Sequence, residues 1–202
     1  MFFALVGPVC WSRTRLVSTV RAAPPWEDCT TVITVSSLPS VVISNGDQAP
    51  TFTAPLANGD IGSFSLSTAL DSEAPVVLAF FPGAFTGVCS HEMQRFEARI
   101  EELADAGGSL YGVSIDSPFA LNEFRDQLSL SFDLISDVNR ELIEAYDVAM
   151  DFDAIGVENL AKRAVFVVDG EGAVSYAWVS DDPGVEPDYD EVVEAIRTIA
   201  AD

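Results

Sequence analysis

The chain has three cysteines and one histidine. One cysteine, Cys89, follows the loop Pro82-Gly-Ala-Phe-Thr-Gly-Val88 at the point where a helical pattern begins. A cysteine in the first turn of a helix faces unpaired backbone N–H groups and the positive end of the macrodipole. Both favour the thiolate, the form of cysteine that acts as a nucleophile. The competing reading is a buried structural cysteine that packs as a small apolar side chain. Other cysteine chemistries fit less well. Disulfide exchange of the C-x-x-C kind needs a second cysteine, and Cys89 is followed by Ser-His-Glu. A cysteine hydrolase needs a histidine base, but His91 is two residues on, about 200° around a helix, so the two side chains cannot face each other. Cys10, Cys29, Cys89 and His91 show no zinc-ligand spacing. His91 reads as a surface or capping residue, the lesser alternative being a contact with the rim of the site.

A nucleophile so placed needs a rigid strand before it and a helix behind it. Val76–Phe81 (VVLAFF) is a continuous apolar run between Pro75 and Pro82, as expected of a buried central strand. From Cys89 onward, Met93, Phe96, Ile100, Leu103 and Ala104 recur as one helical stripe that ends at Gly107-Gly108, with Cys89 on its core-facing side. Glu97, Glu101 and Asp105 would form a row of like charge along that helix. Upstream, Phe52–Leu66 holds two short segments around Asn58-Gly59-Asp60, a hairpin signal. Downstream, the spacing predicts a strand at Leu110–Ile115 and a helix started by Ser117-Pro118 that carries Leu121, Phe124 and Leu128. A short strand at Phe132–Ile135 and a helix with Leu142, Ile143 and Tyr146 follow. Arg163–Val179 reads as two strands joined by Asp169-Gly-Glu-Gly172, and Asp188 opens a last helix with Val192, Val193, Ile196 and Ile199. Alternating strands and helices with a final hairpin predict an α/β fold, a mixed central sheet with helices on both faces.

Pro82-x-x-x-Thr86-x-x-Cys89 resembles the signature of the peroxiredoxins. FFPGAFTGVCSHEM resembles most closely the alkyl hydroperoxide reductase E type, a one-Cys branch, and the likeness runs over about residues 42–202. The resemblance implies a thioredoxin-like fold and a thiol-dependent peroxidase acting on hydrogen peroxide and organic hydroperoxides. By it, Cys89 would be the peroxidatic cysteine, Thr86 would hold the peroxide by its hydroxyl, and Pro82 would shield the sulfur. Lys162-Arg163-Ala-Val-Phe-Val-Val-Asp169 matches the family's second signature at Arg163, whose guanidinium stays charged and offers several donors. Backbone donors near Val88 and Cys89 would bind the peroxide. Glu92 matches a glutamate of the pattern and would orient the arginines, the alternative being a solvated glutamate. Ala84, Phe85 and Trp178 could favour organic hydroperoxides or simply pack. The position five residues beyond Cys89, where one two-Cys branch carries its resolving partner, is Gln94. The resemblance therefore implies a sulfenic acid reduced by an external thiol, either a thioredoxin-like protein or a small thiol. Resolution by Cys10 or Cys29 is the other route. A homodimer or larger homo-oligomer is implied, and no metal or other cofactor. The alternative is a slow redox sensor or holdase that uses the same cysteine.

Composition bounds the setting. The 202 residues carry 32 acidic and 10 basic side chains, a net charge of -22. Such a surface repels nucleic acid and anionic membranes, so neither is an expected partner. The charge is spread along apolar-periodic segments, as in a folded protein with an acidic coat. Molar salt shortens the Debye length to about 3 Å and removes most of the repulsion, which points to a halophilic cytoplasm. Residues 1–41 differ from the rest: the first acidic residue is Glu27, while Arg13, Arg15 and Arg21 precede it. The arginines follow the apolar opening, the reverse of a secretory signal, and no apolar run reaches the roughly 18 residues of a membrane span. This segment is expected to be an unstructured extension or the product of a mis-assigned start, with the domain proper at 42–202.

Overall fold

The structure, a computed structural model, describes residues 43–200. The expected extension, its boundary near residue 42, and Cys10 and Cys29 lie outside the described residues. Strands β1 (Thr53–Ala57) and β2 (Ile61–Ser65) form the predicted hairpin. Helix α1 (Leu66–Glu73) follows at once. It was not expected, because only Leu66 and Ala69 of it are buried and so short a stripe has no readable period. Next come β3 (Val76–Phe80), α2 (Gly87–Glu97), α3 (Ile100–Asp105), β4 (Ser109–Ser114), α4 (Pro118–Leu128), β5 (Asp133–Ser136) and α5 (Glu141–Ala145). A small hairpin of β6 (Ala149–Phe152) and β7 (Val157–Ala161) leads into β8 (Arg163–Val168), β9 (Val174–Ser180) and α6 (Tyr189–Ala200).

The single helix expected from Cys89 to Gly107 is two helices, broken at Ala98-Arg99. The acidic row is broken with it: the Glu97 carboxylate turns to the N–H and hydroxyl of Ser131, at 2.8 and 3.0 Å. Arg99, at the break, lies over the Tyr189 ring and pairs with Asp190 of α6.

Seven strands form one mixed sheet in the order β2-β1-β5-β4-β3-β8-β9, with β3, β4 and β5 parallel and the others antiparallel. Side chains alternate across it, as the twofold strand period requires. Val77, Ala79 and Phe81 join Cys89, Met93, Phe96, Leu121, Phe124 and Ile196 on one face. Val76, Leu78 and Phe80 join Leu66, Ile143, Tyr146 and Phe166 on the other. Helices therefore cover both faces, as predicted. Gly112 of β4 lets α2 lie close: an added Cβ would stand 2.6 Å from Leu134 and 3.2 Å from the Met93 sulfur.

The topology puts two segments far apart in sequence at one end of the sheet. Antiparallel pairing of β3 with β8 sets Phe80 opposite Ala164. The exit of β3 into the Pro82 loop therefore meets the entrance of β8 at Arg163. Because Arg163 has the same parity as Val165 and Val167, it points to the face that carries α2.

Candidate active site

Cys89 is the third residue of α2 and only 2% exposed. The first intrahelical bond is that of the Ser90 N–H to the Thr86 carbonyl, at 2.9 Å. It leaves the N–H groups of Gly87, Val88 and Cys89 without an intrahelical acceptor. Thr86 is the N-cap but makes no capping bond; its hydroxyl donates to the Gly83 carbonyl at 3.1 Å.

Arg163 reaches the sulfur from β8. One terminal nitrogen donates to Cys89 Sγ at 3.6 Å and to the Pro183 carbonyl at 2.7 Å, and the other donates to Glu92 Oε2. Arg163 and Glu92 are 1% and 0% exposed. Glu92 is thus a buried partner of Arg163 rather than a solvated glutamate. Among the described residues it contacts this one arginine, not the several the family pattern suggested. Burial pushes the Glu92 carboxyl up to about 8, against the pull of Arg163. Burial also works against the guanidinium, but Glu92 and Cys89 outweigh it and hold Arg163 above its ordinary value. The two shifts pull apart, since an arginine held up by Glu92 needs a carboxylate while a raised Glu92 favours the acid. Burial is decisive for Glu92, because its second oxygen has no hydrogen-bond partner. Oε2 accepts from Arg163 in either protonation state.

A cavity of about 580 Å³ opens over these groups. Pro82, Thr86, Val88, Cys89 and Arg163 line it, and Ile115, Phe152, Ile155, Val157 and Leu160 add an apolar wall. The wall comes largely from the β6–β7 hairpin, an element not read from the sequence; the turn signal at Gly156 (φ 66°) between apolar residues was the available clue. Ala84 and Trp178 pack instead against the core on the α2 face. Phe85, in the left-handed region at φ 62° and 52% exposed, meets the Phe124 ring edge-on at 5.3 Å. None of these three lines the cavity.

Two further groups hold the site together. Asp116, just beyond β4, accepts from the Ala84 N–H and the Ser114 hydroxyl, each at 2.7 Å, and so ties the Pro82 loop to the next strand. Its polar signal, Ser-Ile-Asp-Ser at a strand end, is visible in the sequence, but its partner is not. Glu186 accepts from the Tyr189 hydroxyl at 2.7 Å and contacts His91 Nδ1 at 2.6 Å. His91 is an exposed residue of α2 and does not line the cavity.

The arrangement offers a buried sulfur, a fixed cation beside it and a lined cavity above. The sequence profile of the AhpC/TSA family matches residues 45–177. Alkyl hydroperoxide reductase C of Mycobacterium tuberculosis is 30% identical over 177 residues, covering 80% of this chain and 87% of that protein. A chloroplastic 2-cysteine peroxiredoxin of Chattonella marina is 33% identical over 144 residues, 67% of this chain and 70% of that one. The solved structure of M. tuberculosis AhpC superposes with a TM-score of 0.68 at 26% identity, over 80% of this chain and 95% of that one. Xanthomonas campestris peroxiredoxin Q does so at 0.63 and 28%, over 74% and 91%. These likenesses show the thioredoxin-like fold. With two thirds of its length matched by the family profile and its buried cysteine set as described, the chain belongs to the AhpC/TSA family of peroxiredoxins, the thiol-dependent peroxidases.

Proposed function

We propose that the protein is a one-Cys peroxidase in which Cys89 reduces hydrogen peroxide and organic hydroperoxides and is regenerated by an external thiol. The observation that carries the reading is the Arg163 donor 3.6 Å from the Cys89 sulfur at the floor of a lined cavity. The thiolate attacks one peroxide oxygen: an S–O bond forms, the O–O bond breaks, and water or an alcohol leaves after taking up a proton. Charge grows on the leaving oxygen. Arg163 and the N–H groups of Val88 and Cys89 are the donors that stabilise it, joined by the Thr86 hydroxyl once it turns from the Gly83 carbonyl to the peroxide. Pro82 shields the sulfur from bulk water, and Glu92 orients Arg163. Two external thiols then return the sulfenic acid to thiol: the first forms a mixed disulfide and releases water, the second displaces Cys89. That reductant is a thioredoxin-like protein or a small thiol, and the working form is a homodimer or larger homo-oligomer. The acidic composition supports a salt-rich cytoplasm as the setting.

The test is stopped-flow tryptophan fluorescence of the reduced protein in molar salt, mixed with hydrogen peroxide or an alkyl hydroperoxide. Trp178 packs on the core that includes Cys89 and serves as a probe. A fast phase, linear in peroxide and lost in Cys89→Ser, is the expected result. A slow phase would replace this reading with the sensor or holdase role, and an active Cys89→Ser protein would overturn both.

A further inference from the structure

Arg163 can act on the sulfur only if something fixes the guanidinium, and two groups do so. Glu92 holds one nitrogen from within α2. The Pro183 carbonyl holds the nitrogen that also meets Cys89. Pro183 belongs to the segment 181–188 between β9 and α6. At its start, Asp182 braces the turn: its side chain accepts from the Gly184 N–H at 2.8 Å, and its backbone carbonyl accepts from the Ser180 hydroxyl at 2.9 Å and the Val185 N–H at 3.1 Å. These bonds lie within the segment and the end of β9 and do not fasten it to α2. Two groups make that link: Tyr189, whose ring packs on Phe96 of α2, and Glu186. One oxygen of Glu186 is bound to the Tyr189 hydroxyl, and the other meets Nδ1 of His91, two residues beyond Cys89 on the exposed side of the same helix turn.

The contact has a defined chemistry. The Tyr189 hydroxyl, His91 and Arg163 outweigh burial and hold Glu186 below the ordinary glutamate range, so it is a carboxylate that can only accept. Nδ1 of His91 is therefore the donor. Glu186 is 22% exposed and His91 60%, so the pair is worth no more than a partly exposed ion pair. That suffices for positioning, because the carbonyl it steadies lies only three residues from Glu186.

We propose that His91 is a positioning residue for Arg163. Its bond to Glu186 clasps the segment 181–188 onto α2, which sets the Pro183 carbonyl against the guanidinium and the guanidinium against the Cys89 sulfur. The inference deepens the peroxidase reading and rests on it for its effect on turnover. The geometric claim can be tested without peroxide.

The test uses the full-length chain with Cys10→Ser and Cys29→Ser, and measures two rates: alkylation of Cys89 by iodoacetamide, and oxidation by peroxide. His91→Ala is expected to slow both about fivefold, the rate equivalent of one such pair, with circular dichroism unchanged. His91→Asn, whose amide nitrogen stands near the place of Nδ1, is expected to restore most of the loss. Glu186→Ala is expected to match His91→Ala, and the double variant to be no slower than either single one. Alkylation at the parent rate in His91→Ala, no rescue by asparagine, or additive losses in the double variant would each overturn the clasp. If the parent protein is inert to peroxide while the alkylation pattern holds, the peroxidase reading fails and the clasp stands.

Discussion

Glu92 and Arg163 are a buried, hydrogen-bonded pair beside a sulfur whose own charge changes during the proposed reaction, so their protonation and their pairing are both testable. Burial raises the Glu92 carboxyl from its ordinary 4.5 to about 8. A group raised in the folded state binds its proton more tightly there than in the unfolded chain. The stability it contributes is fully present below about 4.5 and is lost as the pH rises through about 8. Urea unfolding across that window should therefore show a falling stability that flattens in Glu92→Gln. Arg163→Ala removes the partner of a buried carboxyl as well as the donor to sulfur, so it is expected to lower stability by up to about 3 kcal/mol and to slow peroxide attack. Adding Glu92→Gln should recover stability but not rate, read by unfolding and stopped flow on the same samples. Thr86→Val keeps the shape and removes one exposed hydroxyl; a drop of about a hundredfold in the peroxide rate with unchanged unfolding is expected. Cys89, Thr86, Pro82 and Glu92 were legible because they lie within one turn or loop of each other. The buried state of Glu92 was not, since a glutamate's burial depends on what the sheet brings against it.

At the scale of elements, the site depends on how tightly α2 sits on the sheet and how firmly its loop is tied. Gly112 sets the first. A Cβ there would fall 2.6 Å from Leu134 Cδ2 and 3.3 Å from Phe81 Cε1. Gly112→Ala is therefore expected to cost about 1–3 kcal/mol by overpacking, measured as a lower urea midpoint. Asp116 sets the second, through the Ala84 N–H. Asp116→Ala should slow Cys89 oxidation about tenfold, as expected when a preorganised loop is loosened, and leave the far face of the sheet intact by hydrogen exchange. The strands at Val76–Phe81, Leu110–Ile115 and Arg163–Val168 could be read directly, because long apolar runs between turn residues have few other uses. The β6–β7 hairpin could not. It is a separate two-stranded ribbon whose residues are largely exposed or half-buried, so neither strand shows a clear alternation.

For the whole molecule, 32 acidic side chains against 10 basic ones leave most carboxylates without a cationic partner. Self-repulsion of that size is screened by salt. Thermal unfolding should shift upward by about 10 °C between dilute buffer and molar potassium chloride, the equivalent of a few kcal/mol for a chain of this length; a flat or falling curve would count against the halophilic setting. No helix of the described residues is long and apolar enough to cross a membrane. The sequence by itself determined the order of most elements, the class of sheet, the candidate cysteine and the family motif that surrounds it. Each of these is written in consecutive residues or in a short period, and local backbone preferences read such patterns directly. Arg163 could be named from its own motif, but only the tertiary structure decided how it and the other distant groups meet around that cysteine. Ala84 meets Asp116 across 32 residues, Cys89 meets Arg163 across 74, and His91 meets Glu186 across 95. Those meetings follow from strand order and register in the sheet, which arise from the packing of the whole core rather than from any one segment.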